Sequence, residues 1–257
     1  MFEAMMIAST GLYNQQRRLD TIANNVANVN TNGYKGTRLD FKDALYTSGI
    51  TPGLPRSPEG NQQRGHGVMV AGTAKDFRGG NLQVTERPLD VAIEGEGFFE
   101  LRDANGALLY TRIGSFAISS EDDGAYLVNV DGLYVMDSDG ERIMLPENAE
   151  TITIGQDGTV RFTENEEEMP LVLGVYTFRN LTGLLSAGNG NYSESPASGE
   201  KLQAEGAMLR QGALEGSNVN LAEEMTRMIR TQRAFQLASR ALSKADEMEG
   251  IANNMRR

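Results

Sequence analysis

The stretch MMIASTGLYNQQRRLDTIANNVANVN, residues 5–30, decides how the rest of the chain is read. Met5, Leu12, Leu19 and Val26 stand seven residues apart, and Ala8, Ile22 and Val29 form a second row interrupted by the polar Gln15. Seven-residue apolar spacing lays one stripe along a helix, and such a stripe asks for a partner helix. At Asn32-Gly33 the glycine can take the positive φ that closes a helix, so the helix is expected to stop there.

A matching stripe lies at the other end of the chain. Leu221, Met228, Phe235 and Leu242 are again seven apart, flanked by Ala238, Ala245 and Ala252. Asn220 followed by Glu223 is a capping-box pattern, which satisfies backbone donors left unpaired in a first turn. Glu223 and Glu224 near the start, with Arg256 and Arg257 at the end, suit the helix dipole.

Between the two stripes the hydrophobic period shortens to two. Asn105-Gly106, Asp123-Gly124, Asp131-Gly132, Asp139-Gly140 and Asp157-Gly158 are hairpin signals. The runs 151–154, 159–163 and 171–178 alternate or cluster β-branched and aromatic residues. Residues 46–67 carry Pro52, Pro55 and Pro58 and suit neither a long helix nor a central strand. The expected fold is α+β: terminal amphipathic helices pair in a coiled-coil-like domain and bracket a mainly antiparallel β domain. Its expected divisions are an N-terminal helix over 1–35, an extended connector over 36–79, a β-rich outer domain over 80–205, and a return segment with the C-terminal helix over 206–257.

Composition removes several functions. Acidic residues outnumber basic ones 35 to 24, for a net charge of -11, and no basic patch offsets this, so nucleic acid is not an expected partner. No apolar run has the length of a membrane span, and the N-terminus carries no signal-peptide pattern. Cysteine is absent, which excludes disulfides, thiolate metal sites and cysteine nucleophiles and suits an exported protein. No cofactor is expected. Asp137-Ser138-Asp139-Gly140 resembles part of a calcium loop, but its glycine comes too early, and a β-turn is the simpler reading. Gly95-Glu96-Gly97 is flanked by strand-like sequence and is no dinucleotide fingerprint; Glu166-Glu167-Glu168 reads most simply as a solvated loop.

Asn24, Asn25 and Asn28 crowd two turns of the first helix, although asparagine is a mediocre helix residue. They read either as a solvated flank or as amides that bond to adjacent helices in an assembly. Here the chain resembles the flagellar rod and hook family. The run Ala23-Asn24-Asn25-Val26-Ala27-Asn28 followed by Thr31-Asn32-Gly33-Tyr34-Lys35 looks like its N-terminal signature. Residues 89–99, LDVAIEGEGFF, look like its central motif, with Tyr110-Thr111-Arg112 and Gly114-Ser115-Phe116 following. Residues 214–220, LEGSNVN, lead into Glu223-Glu224-Met225 and Thr231-Gln232-Arg233-Ala234-Phe235. Length and connector resemble a distal rod subunit first and a proximal one next.

The resemblance implies a helical homopolymer, a hollow tube that passes torque to the hook. It implies export through the flagellar export apparatus without signal cleavage, and a place in the basal body within the periplasm and envelope. Other rod proteins, the hook protein and surrounding ring proteins are the implied neighbours. The expected assembly interface is Met5, Leu12, Leu19, Ile22, Asn24, Asn25, Val26 and Asn28 on one helix, and Leu221, Met225, Met228, Phe235, Ala238 and Leu242 on the other. Catalysis would have to rest on carboxylates, since the one histidine, His66, sits in a Gly-His-Gly turn. A peptidoglycan-cleaving enzyme would need two carboxylates across a cleft, and no pair identifies itself. The other alternative is a β-rich ligand-binding or cell-surface module.

Overall fold

The computed structural model describes residues 2–45, 47–48, 63–121, 124–145, 152–162, 171–204 and 206–255. Pro52, Pro55, Pro58, Asp123, Glu166 to Glu168, Arg256 and Arg257 lie outside the described residues. The chain divides into two compact units. One, the helical unit, holds residues 1–27, 37–74 and 220–257; the other, the β unit, holds 28–36 and 75–219.

In the helical unit, α1 (Phe2–Ala27) packs along α2 (Leu221–Asn254). The two helices therefore pair within one chain. At a rise of 1.5 Å per residue they are about 39 and 51 Å long. Asn220 caps α2, its Oδ1 accepting the amides of Ala222 at 3.1 Å and Glu223 at 3.3 Å. The reciprocal half of the box is replaced: the Glu223 carboxylate pairs with Arg227, one turn further along. Residues Thr37–Asp43 pair with Val68–Lys75, and Thr47–Ser48 with Gln63–Arg64, so the connector is laddered at both its ends.

The first helix ends earlier than its sequence signal. It stops at Ala27, and Asn28 to Gly33 form turns in which Thr31 donates its amide to the Asn28 carbonyl. Gly33 does adopt a φ of +66°, but its reason is tertiary. Its amide donates to the Glu215 carbonyl at 2.7 Å, and a Cβ there would lie 2.6 Å from the Ile113 side chain.

The β unit centres on one antiparallel sheet that runs Met144–Leu145, Gly124–Asn129, Tyr134–Val135, Phe98–Arg102, Leu108–Thr111, Asn191–Ser193 and Leu185–Gly188. Val175–Phe178 also pairs with Phe98–Arg102, which sits at the middle of the fold. Both faces of that strand are covered, because successive side chains point oppositely. Phe99 and Leu101 enter a core with Val91, Phe116 and Ile143, whereas Phe98 joins Tyr110, Phe178 and Tyr192 in a second one. Edge-on ring pairs tie each core, with centroids 5.2 Å apart for Phe99–Phe116 and 4.8 Å for Tyr110–Phe178. Full burial of one such side chain contributes roughly 1.5 to 3 kcal/mol.

The return segment differs from its expected place. Met208–Gln211 pairs with Val91–Glu94, and Ala213–Glu215 with Leu82–Val84, so the β unit holds the chain as far as Val219. These ladders are made with strands over a hundred residues away, which local sequence cannot signal.

Candidate assembly surface and a buried charged junction

The heptad positions become the half-buried side of each helix. On α1, Met5, Leu12, Leu19 and Val26 are half-buried and Ile22 is enclosed; on α2 the same holds for Met228, Phe235, Ala238 and Leu242, with Ala245 enclosed. Three polar groups share these rows: Gln15 on α1, and the buried Glu224 and Thr231 on α2. Glu224 is held by Arg227 at 2.8 Å.

Leu221 and Met225 stand apart from that seam, 40% and 50% exposed, and Ile229 extends their row at the same four-residue spacing. Met6, Tyr13, Leu237, Met248, Ile251 and Met255 are exposed as well. Beside α1, a groove of about 480 Å³ is bordered by Tyr13, Asn14, Arg17, Val68 and Met69.

The asparagines separate into three environments. Asn24 is exposed on α1. Asn25 is buried: its Nδ2 donates to the Thr37 carbonyl and its Oδ1 accepts the Thr37 amide, both at 2.9 Å. It ties α1 to the strand of its own chain. Asn28 lies in the turn after the helix, where its Oδ1 accepts the Thr31 hydroxyl at 3.2 Å.

Inside the β unit lies a charged cluster that no local sequence pattern announces. Lys35, Arg112 and Glu215 are all buried. Lys35 Nζ donates to Glu215 Oε1 at 2.7 Å and to the Arg78 carbonyl at 2.9 Å, while Arg112 Nε pairs with Glu215 Oε2 at 3.0 Å. The Gly80 amide also donates to Glu215 Oε1 at 2.7 Å, with the Gly80 backbone so close to Gly216 that a Cβ would lie 2.0 Å from its carbonyl oxygen. The Gly95-Glu96-Gly97 turn presents two carbonyls to Arg112, each accepting at 2.8 Å. Burial pushes Lys35 below the ordinary lysine range, opposed by its hydrogen bond to Glu215; burial lowers Arg112 too, again opposed by Glu215.

Asn218 extends the cluster. Its Oδ1 accepts the Gly36 amide at 2.8 Å, and its Nδ2 donates to the carbonyls of Asp76 at 2.7 Å and Arg78 at 3.1 Å. Lys35, Arg112, Glu215 and Asn218 all stand in motifs quoted from the sequence. The available signal was an ionisable residue set among apolar or glycine neighbours, as in Leu214-Glu215-Gly216.

The other nominated groups serve turns or the surface. Asp137 Oδ1 accepts the amides of Asp139 at 2.9 Å and Glu141 at 2.8 Å, closing a turn in which Gly140 has a φ of +80°. His66 is exposed. Among the described residues, no group of three His, Cys, Asp or Glu side chains could hold a metal ion, and no helix is long and apolar enough to cross a membrane.

Three family models match in the order of the chain. Flagella basal body rod protein matches residues 5–35, the Flagellar hook protein FlgE/F/G D1 domain matches 92–162, and the Flagellar basal body rod FlgEFG protein C-terminal matches 210–255. Full-length relatives narrow this further. The chain is 39% identical to the flagellar basal-body rod protein FlgG of Borreliella burgdorferi over 100% of both chains. It is 36% identical to FlgG of Buchnera aphidicola from Acyrthosiphon pisum over 96% of this chain and 97% of the relative, and 37% identical to FlgG of Agrobacterium fabrum over 97% and 98%. The chain belongs to the flagellar basal-body rod proteins of the FlgG type and is a structural subunit of the rod.

Proposed function

We propose that this subunit polymerises through its helical unit into a hollow helical tube that carries torque to the hook, and that it catalyses nothing. The supporting observation is the open apolar surface of α1 and α2, where Tyr13, Met225, Ile229, Leu237 and Ile251 remain exposed after the helices have paired. A soluble protein with isolated apolar residues is ordinary, but an apolar row along a helix marks an interaction surface. Other copies of the chain are its first partners, with other rod proteins and the hook protein at the tube's ends and ring proteins around it. On this reading the chain travels unfolded through the flagellar export apparatus, keeps its N-terminus, and assembles in the periplasmic part of the basal body. The expected domain roles follow: the helical unit assembles, and the β unit forms the outer wall.

Phe235→Asp places a carboxylate on the seam of α2, and Leu12→Asp does the same on α1; burial of either without a partner costs several kcal/mol or forces protonation. Both variants are expected to be exported and to keep the melting transition of the β unit, yet to give no rods in sedimentation and electron microscopy. Rods of normal length from both variants would remove the helices from the assembly mechanism.

A further inference from the structure

We infer that the Lys35–Glu215–Arg112 cluster and Asn218 form a positioning device that clamps the chain leaving α1 to the chain entering α2, so that the helices pair in a single register. The clamp is made of directional bonds. Gly33 donates its amide to the Glu215 carbonyl at 2.7 Å, Gly36 donates to Asn218 Oδ1 at 2.8 Å, and Asn218 returns its own amide to the Tyr34 carbonyl at 3.4 Å. A slip of either segment by one residue would break these bonds and draw the Glu215 carboxylate away from Lys35. Partial satisfaction of a buried charged network is worse than none, so intermediate positions are disfavoured.

The clamped residues lie close to the helices in sequence. Gly36 is nine residues beyond Ala27, and Asn218 is three before Leu221. Nine residues from Ala27 to Gly36 and three from Asn218 to Leu221 are all the chain that lies between the clamped point and the two helices, so a fixed offset at the clamp limits the offsets open to the helices.

The helix seam gives a reason why such a device is needed. Met228, Phe235 and Leu242 repeat every seven residues, and so do Ala238, Ala245 and Ala252. A shift by one heptad therefore exchanges apolar contacts for apolar contacts, which discriminates poorly between registers. The polar Gln15, Glu224 and Thr231 mark the register only once the helices have met. The clamp acts before that, within the β unit. Its members come one each from the three matched segments, Lys35 from 5–35, Arg112 from 92–162 and Glu215 from 210–255. The inference rests on the proposed function only for its consequence in the rod.

The absence of cysteine gives a clean test. Leu12→Cys is combined in the full-length chain with Met228→Cys, Phe235→Cys or Leu242→Cys, and the intramolecular disulfide yield is measured on dilute monomer. One pairing should dominate. Adding Asn218→Ala or Glu215→Gln should shift disulfide yield from the dominant pairing to the heptad-shifted ones, as the fixed offset between the two segments is lost, while the β unit still melts cooperatively. If Glu215→Gln does not fold, Asn218→Ala decides, because it leaves the three charges in place. An unchanged, single pairing in Asn218→Ala overturns the inference and reduces the cluster to core structure. Because the readout is taken on monomers, that result would leave rod formation, tested by Phe235→Asp, standing.

Discussion

The two units bury their side chains differently. In the β unit Val91, Phe99, Leu101 and Ile143 have no exposed surface, whereas in the helical unit the only buried hydrophobic residues among the described ones are Ile22 and Ala245, 4% and 9% exposed. Sheet strands covered on two faces close a core by themselves. A pair of long helices encloses only one narrow seam, and its remaining sides need neighbours. The difference teaches where closed burial lies: the β unit encloses its own core, and the helices are the surface to which the proposed function gives association.

The largest effect should come from breaking the closed unit. Phe99→Ala removes a fully buried ring that touches Phe116, and is expected to cost about 3 to 5 kcal/mol. The calorimetric midpoint of the β unit should fall by roughly 10 °C. A change under about 2 °C would mean that this core is not what holds the unit together.

A finer comparison sits at the junction. Glu215→Ala leaves Lys35 and Arg112 buried without their carboxylate, expected to cost about 3 kcal/mol, whereas Lys35→Met leaves Glu215 still paired with Arg112 and should cost less than half of that. Denaturant midpoints of the two variants check the order. Equal losses would show that Arg112 does not hold the carboxylate by itself.

The smallest effect concerns pH, and it too should be confined to the β unit. A hydrogen bond from Arg78 holds the Asp76 carboxyl below its usual value of 3.8, and the Thr159 hydroxyl does the same for Asp157. A carboxyl whose folded value is depressed contributes stability that is present above the unfolded value and lost as pH falls through the folded one. The β unit's melting temperature should thus decline as pH drops below about 3.8. Asp76→Asn should flatten that decline, and an unaltered slope would assign the acid response to other groups.

Much of this architecture was legible in the sequence, and for a local reason. The spacing of Met5, Leu12 and Leu19, and of Met228, Phe235 and Leu242, reports which side of each helix will be covered, because periodicity survives without knowledge of the partner. Asn105-Gly106 and Asp157-Gly158 mark turns because a left-handed backbone is written in the residue that adopts it: Gly106 and Gly158 both have a φ of +85°. The three motifs likewise carried the family resemblance. Other features were decided by contacts across the chain. That α1 stops at Ala27, that Asn25 serves Thr37, that residues 206–219 join the β unit, and that Lys35, Arg112 and Glu215 meet all depend on partners distant in sequence. A charge between a leucine and a glycine looks the same in sequence whether it faces water or a buried cation. Only the path of the chain brings Lys35 and Glu215, 180 residues apart, to 2.7 Å, and desolvation then makes that meeting matter.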